Sequence, residues 1–145
     1  MSLNAKERIV AIMKETLNHA YLATTDKDQP IIRSMTPIVE DDMTIWLITY
    51  SNSRKIKQIK KNPKVCLFFT KQPDGDKTVC VLGKAQIVTD LKTKRYVWQI
   101  SHYDPSSYFP RGPEHSPFCV LKVIPTKIEW WDNWEMGRKV YRPKL

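Results

Sequence analysis

Several things are missing from this 145-residue chain, and each absence excludes a class of protein. No apolar run approaches the roughly 18 residues that a membrane-spanning helix needs, and the N-terminus lacks the basic-then-apolar layout of a signal peptide. The reading is a soluble, cytoplasmic protein with no membrane partner. Cysteine is scarce: Cys66, Cys80 and Cys119 are odd in number, lie far apart and each sits among apolar, strand-like neighbours. That is the usage of small core hydrophobes in a reducing compartment, and not a disulfide framework. His19, His102 and His115 share no ligand spacing with the cysteines or with one another, so no metal site is expected. No nucleophile, base and orienting group stand at a recognisable spacing, which leaves the catalytic residues unknown. No internal repeat, low-complexity segment or linker divides the chain, so residues 1–145 are expected to form one domain.

Acidic residues are also under-represented, 15 against 24 Lys and Arg, for a formal charge of +9. The surplus points to an anionic partner, and charge alone does not choose among nucleic acid, membrane surface and a phosphorylated small molecule. Five Trp and ten Pro against four Gly suggest strands, fixed turns and packed aromatic surfaces.

Residues 3 to 19 have helical spacing, with Asn4 and Glu7 as a possible capping box and Ile9, Met13 and Leu17 on one stripe. The period then changes. Tyr21–Thr25, Ile31–Val39, Met43–Thr49, Lys64–Thr70 and Thr78–Val88 are β-rich runs separated by polar turn signals such as Pro73-Asp74-Gly75-Asp76. Asp90 opens a helix through about His102. A Pro- and aromatic-rich loop follows from Tyr103 to Ser116, and a last strand runs from Phe118 to Trp131. Six strands in a near-continuous antiparallel meander, with helices appended, predict a mainly β (α+β) protein closed into a small barrel. A barrel of this size is filled by its own side chains, so a ligand belongs at the rim or between subunits. Trp46, Phe68, Trp98, Trp130 and Trp131 exceed the needs of one such core, which favours a homodimer.

The organising stretch is Thr49 to Pro63. It leaves an apolar strand, crosses Tyr50-Ser51-Asn52, and enters a two-turn helix with Ser53 as N-cap and Pro63 as stop signal. Arg54 and Lys55 stand in the first turn, where the macrodipole repels cations. An anion, most simply a phosphate, would reverse that sign. The competing readings are a solvated basic face and a nucleic-acid-binding barrel using Lys55, Lys57, Lys60, Lys61 and Lys64. Against the latter, the strands lack clustered exposed aromatics alternating with Lys or Arg.

Taken in order, Ala23-Thr24-Thr25, Arg33-Ser34-Met35-Thr36-Pro37, Ile48-Thr49 through Ser53-Arg54-Lys55 to Asn62-Pro63, Gly83-Lys84-Ala85, Tyr108-Phe109-Pro110-Arg111-Gly112-Pro113 and Pro125 through Ile128-Glu129-Trp130-Trp131 resemble the pyridoxamine 5′-phosphate oxidase-like FMN-binding split-barrel family. Within it they resemble the general stress protein 26-like branch. The resemblance implies a six-stranded antiparallel split barrel with appended helices, a homodimer, and FMN as cofactor of an oxidoreductase. Carried over position by position, it implies that Arg54 and Lys55 grip the FMN phosphate. Arg33, Ser34, Met35 and Thr36 line the ring and ribityl chain, Ile48, Thr49, Ser51 and Ser53 add contacts near ring and phosphate, and Trp131 approaches the flavin held by the other subunit. Other branches use a deazaflavin or heme, so a non-catalytic binding protein for flavin, deazaflavin or heme is the alternative. The family's oxidase proper carries a glutamine and arginines where this chain has Thr78, Val79, Cys80 and Val81, and its Arg-x-x-x-Arg-like segment has no convincing match at Arg138 and Arg142. Vitamin oxidation is therefore not expected.

Overall fold

The structure, a computed structural model, describes residues 2–144. Helix α1 (Ala5–Glu15) starts at Asn4, whose side chain accepts the Glu7 amide at 2.9 Å while the Glu7 carboxylate accepts the Asn4 amide, the reciprocal pairing read from the sequence. It buries Ile9, Val10, Ile12 and Met13, each worth roughly 1.5–3 kcal/mol of transfer free energy, and so closes one mouth of the sheet. The periodic stretch ends earlier than the spacing suggests, giving way to a 3₁₀ turn at Leu17–His19.

Strands β1 (Ala20–Asp26) and β2 (Gln29–Met35) form a hairpin; β3 (Ile38–Val39) and β4 (Ile45–Tyr50) form a second. The run expected as one strand from Ile31 to Val39 breaks at Thr36-Pro37, because proline has no N–H to donate and constrains the residue before it. Helix α2 (Arg54–Lys61) leads to β5 (Lys64–Thr70), which pairs with β6 (Thr78–Val88). Helix α3 (Leu91–Ile100) precedes the long β7 (Phe118–Trp131), and β8 (Lys139–Tyr141) adds to its far end from a tail that carries no strand signal. Two short strands, β3 and β8, thus join the six expected.

Sheet order is β2-β1-β5-β6-β7-β4-β3, with β8 on β7. This departs from a continuous meander: β1 pairs with β5 and β4 with β7, because α2 carries the chain across from one half to the other. The two free edges, β2 and β3, are consecutive in the chain and separated only by Thr36-Pro37, which spans about 10 Å at most. The sheet therefore curls until its edges face each other across a gap with no ladder, a split barrel. At the bulge between Leu82 and Gly83 the backbones of β6 and β7 come so close that a Cβ on Gly83 would lie 2.1 Å from the Ile124 carbonyl oxygen, which glycine alone tolerates.

The interior holds Leu22, Leu47, Leu67, Phe69, Val79, Val81, Leu121 and Ile128. A second apolar cluster lies outside the sheet, where Val97 of α3 and Phe109 pack on Ile38, Trp46, Ile48, Phe118 and Val120. Phe109 and Phe118 stack edge-to-face at 5.2 Å, which pins the loop after α3 onto β4 and β7. Trp46 and Trp130 are buried within the single chain, so they do not argue for a second copy; Phe68 and Trp131 remain partly exposed. Among the described residues, no helix is long and apolar enough to cross a membrane.

Candidate functional site

The gap between the sheet edges opens into a cleft of about 630 Å³. Ser34, Met35 and Thr36 line it from the end of β2, Ile48, Thr49 and Tyr50 from the end of β4, Lys55 from α2 and Asn18 from the 3₁₀ turn. His102, Tyr103, Tyr108 and Phe109 form its outer wall, and no lining residue is acidic. Size and apolar-to-polar mix are those of a small-molecule site.

Helix α2 stands at the inner end. Ile56, Gln58 and Ile59 are buried against the barrel, leaving the first turn at the cleft. Ser53 occupies the N-cap with extended backbone, as expected, but its side chain makes no capping bond; its oxygen accepts the Thr49 hydroxyl at 3.4 Å instead. The Lys55 ammonium donates to Thr49 Oγ1 at 2.8 Å. Helices α1 and α3 are both capped by a side chain, Asn4 and Asp90, whereas the first-turn amides of α2 have none.

Arg33 lies opposite Leu22 in the β1–β2 ladder. Its guanidinium donates to the Leu22 carbonyl at 3.2 Å, to Thr24 Oγ1 at 2.8 Å and to Gln58 Oε1 at 3.0 Å, and Thr24 also donates to Gln58 at 2.5 Å. It thereby ties the edge strand to α2 and forms no ion pair with Asp26 or Glu40. Burial, reinforced by the charge of Arg54, holds its pKa below the ordinary arginine range; burial, then Arg33, does the same to Lys55. Among the described residues, none of Arg33, Arg54 and Lys55 has a carboxylate within ion-pair distance. Three cations crowded together, two of them with depressed pKa, make a site short of negative charge.

Arg54 and Lys55 diverge around the helix. Lys55 faces the cleft, while Arg54 lines a neighbouring groove of about 610 Å³ with Asp26, Lys27, Lys57, Gln58 and Lys61. Of the other residues expected at the site, Ser34, Met35, Thr36, Ile48 and Thr49 meet in the cleft. Ser51 is exposed in the turn, its amide bonded to the Pro117 carbonyl at 3.0 Å, and does not line it. Trp131 is elsewhere: its indole N–H donates to the Gly75 carbonyl at 2.9 Å, and its ring lies 5.6 Å from that of Trp134. Thr49 pairs with Cys119 at the start of β7, and Trp131 is twelve residues further on, up to about 40 Å along an extended strand.

Residues that sequence reasoning did not single out complete the site. Thr24 and Gln58 hold Arg33. The His102 ring bonds the Pro37 carbonyl through Nε2 at 3.0 Å, fastening the loop to the gap between β2 and β3. Tyr50 donates its hydroxyl to the Tyr108 carbonyl at 3.2 Å, and Tyr103 has its phenol pushed up, by burial first and then by Tyr108. The density of aromatics from Tyr103 to Phe109 was the available signal for the wall; nothing local marks Thr24 or Gln58.

The chain was compared with known proteins. A family model described as pyridoxamine 5′-phosphate oxidase matches residues 5–132. In fold the chain is similar to General Stress Protein 26 from Bacillus anthracis str. Sterne, at 24% identity and a TM-score of 0.75, over 97% of this chain and 100% of that one. A putative pyridoxamine 5′-phosphate oxidase from Listeria innocua is similar at 22% identity and a TM-score of 0.76, over 90% of this chain and 100% of that one. A heme binding protein from Mycobacterium smegmatis is similar at 12% identity and a TM-score of 0.74, over 98% of this chain but 60% of that one. These structural likenesses show the fold. No curated protein matches in sequence.

Proposed function

The chain belongs to the pyridoxamine 5′-phosphate oxidase family, and on that premise we propose that it is an FMN-binding oxidoreductase whose phosphate site is the start of α2. The observation that carries this reading is the group Arg33, Arg54 and Lys55, which has no carboxylate partner beside an uncapped helix start and a cleft with no acidic wall. The phosphate is held by Arg54, Lys55 and the free amides of α2. Ser34, Met35, Thr36, Ile48 and Thr49 flank the ring and ribityl chain, and Arg33 keeps β2 and α2 at a fixed spacing. When bound, FMN supplies the redox chemistry, which fits a site offering no nucleophile–base pair of its own.

The same reading makes the protein a homodimer. Trp131 cannot reach its own chain's cleft, so a flavin contact from it requires a second copy. The outer face of β2-β1-β5-β6 is apolar, with Ile32 at 66% exposure beside Tyr21, Ala23, Phe68 and Leu82, as expected of a surface that is covered in use. The test is the absorbance spectrum of the purified protein, followed by titration with FMN. A flavin spectrum saturating at one FMN per chain is expected; a heme or deazaflavin spectrum in its place would overturn the assignment.

A further inference from the structure

The turn between β3 and β4, the middle of β7 and the tail beyond β8 enclose a second hollow, of about 510 Å³, that shares no lining residue with the cleft. Thr44 lines it just before β4 begins, whereas the other end of that strand, Ile48–Tyr50, lines the cleft. The floor is apolar. Met43, whose backbone takes a left-handed φ of 74°, is buried there with Val123, and Tyr141 packs against the core beside them. The rim is cationic, with Lys6, Lys122, Arg142 and Lys144 set against one acid, Asp42.

That acid does not neutralise them. Its carboxylate accepts the Thr44 amide at 3.0 Å, and the bonds from Thr44, helped by the charge of Lys6, hold its pKa below the ordinary carboxylate range. Asp41 beside it pairs with Lys14, and Arg138, the other arginine of the tail, pairs with Glu129. Among the described residues, none of the four rim cations has a carboxylate within ion-pair distance. Two of them are positioned by the fold. The Lys122 ammonium stands 5.6 Å from the centroid of the Trp46 ring, and Arg142 directly follows Tyr141, which β8 fixes opposite Ile128 of β7.

We propose that this hollow is a second binding site, for a small organic phosphate whose ring packs on Tyr141, Pro125 and Pro143 and whose phosphate is held by Arg142 and Lys122. Four cations against one carboxylate match a dianion better than a single charge, and arginine can offer a phosphate two parallel N–H donors. The apolar floor calls for more than a bare anion. The hollow has the size of a small-molecule site, and its charges ring a cavity where a nucleic acid or membrane surface would need a broad basic face. The proposal does not depend on the flavin reading. None of the lining residues lies on α2, or on β1, β2, β5 or β6, whose outer face the homodimer would cover.

The test titrates the whole, isotopically labelled chain with phenyl phosphate, phenol and inorganic phosphate, and follows the backbone amide resonances. Phenyl phosphate should bind at least about tenfold more tightly than either of its parts. Its shifts should centre on Thr44, Val123, Ile124 and Tyr141, and added FMN should not displace it. Arg142→Gln should weaken phenyl phosphate about tenfold and leave FMN affinity unchanged. The shift map is read on the unsubstituted chain, so a variant that failed to fold would leave the test standing. No binding of phenyl phosphate, shifts centred on Thr49 to Lys55, displacement by FMN, or inorganic phosphate binding equally well across the surface lysines would each overturn the proposal.

Discussion

Cations are handled in opposite ways at the two ends of this barrel. Around the far end of β7, Arg8 and Lys77 share Asp132, Lys71 and Lys77 share Glu15, and Arg138 pairs with Glu129. Around the start of α2, Arg33 and Lys55 donate only to neutral oxygens, those of Leu22, Thr24, Gln58 and Thr49, and Arg54 forms no ion pair among the described residues. Both ends draw on the same basic surplus. The paired end is balanced internally and supports stability. The unpaired end keeps its cations together at a cost, visible in the depressed pKa of Arg33 and Lys55, and that cost makes sense where an anion arrives from outside.

If the contrast is real, substitutions at the two ends should move different quantities. Arg54→Ala removes a planar donor suited to phosphate while Lys55 and the amides remain, so FMN affinity should fall roughly 10- to 100-fold, about 1.4 to 2.7 kcal/mol. Ligand-free stability should hold or rise slightly as a clash with the helix dipole is relieved. Lys60→Ala, at the other end of α2, is the control and should leave FMN binding alone; both are read by flavin fluorescence titration. Gln58→Glu would convert the unpaired end toward the paired one by placing a carboxylate where Gln58 now accepts from Arg33 and Thr24. The urea midpoint of the ligand-free protein should rise and FMN affinity should drop about tenfold, because the cluster then carries its own anion. If affinity rises instead, the cations are not a phosphate site.

Asp132→Ala is the mirror experiment. Asp132 is buried and holds Arg8 and Lys77, so its loss should cost about 1–2 kcal/mol in urea unfolding and leave FMN affinity within twofold. The smallest effect is in pH. Lys55 and Arg33 have folded pKa values below their unfolded ones, so in that window the unfolded chain binds more protons and ligand-free stability should rise with pH toward the ordinary lysine value of 10.5. FMN binding uses charged Lys55 and should weaken over the same range. Parallel curves in place of opposed ones would separate Lys55 from the ligand.

The contrast also explains what the sequence could reveal. Turn residues marked the β1–β2 and β5–β6 hairpins, and the order apolar strand, Tyr50-Ser51-Asn52-Ser53, Arg54-Lys55 marked the start of α2, because these are local signals. Pairing of β4 with β7 was illegible, since it depends on α2 crossing the barrel and not on any turn. Gln58 and Thr24 carry no charge and gain their role only when β1, β2 and α2 meet around Arg33. Ser53 has the right chemistry for a cap, yet Thr49 competes for its oxygen, a contact that exists only once β4 and α2 are folded together. The Cys66 and Cys80 sulfurs come within 3.3 Å only through strand register, which the thirteen residues between them do not announce.

The central claim is that the start of α2 recognises a phosphate. The most direct measurement is paired titration of the wild-type chain with FMN and with riboflavin, which differ only in that group. FMN should bind at least about tenfold more tightly, with the difference shrinking in Arg54→Ala. Equal affinity for the two ligands in the wild-type protein would contradict the account.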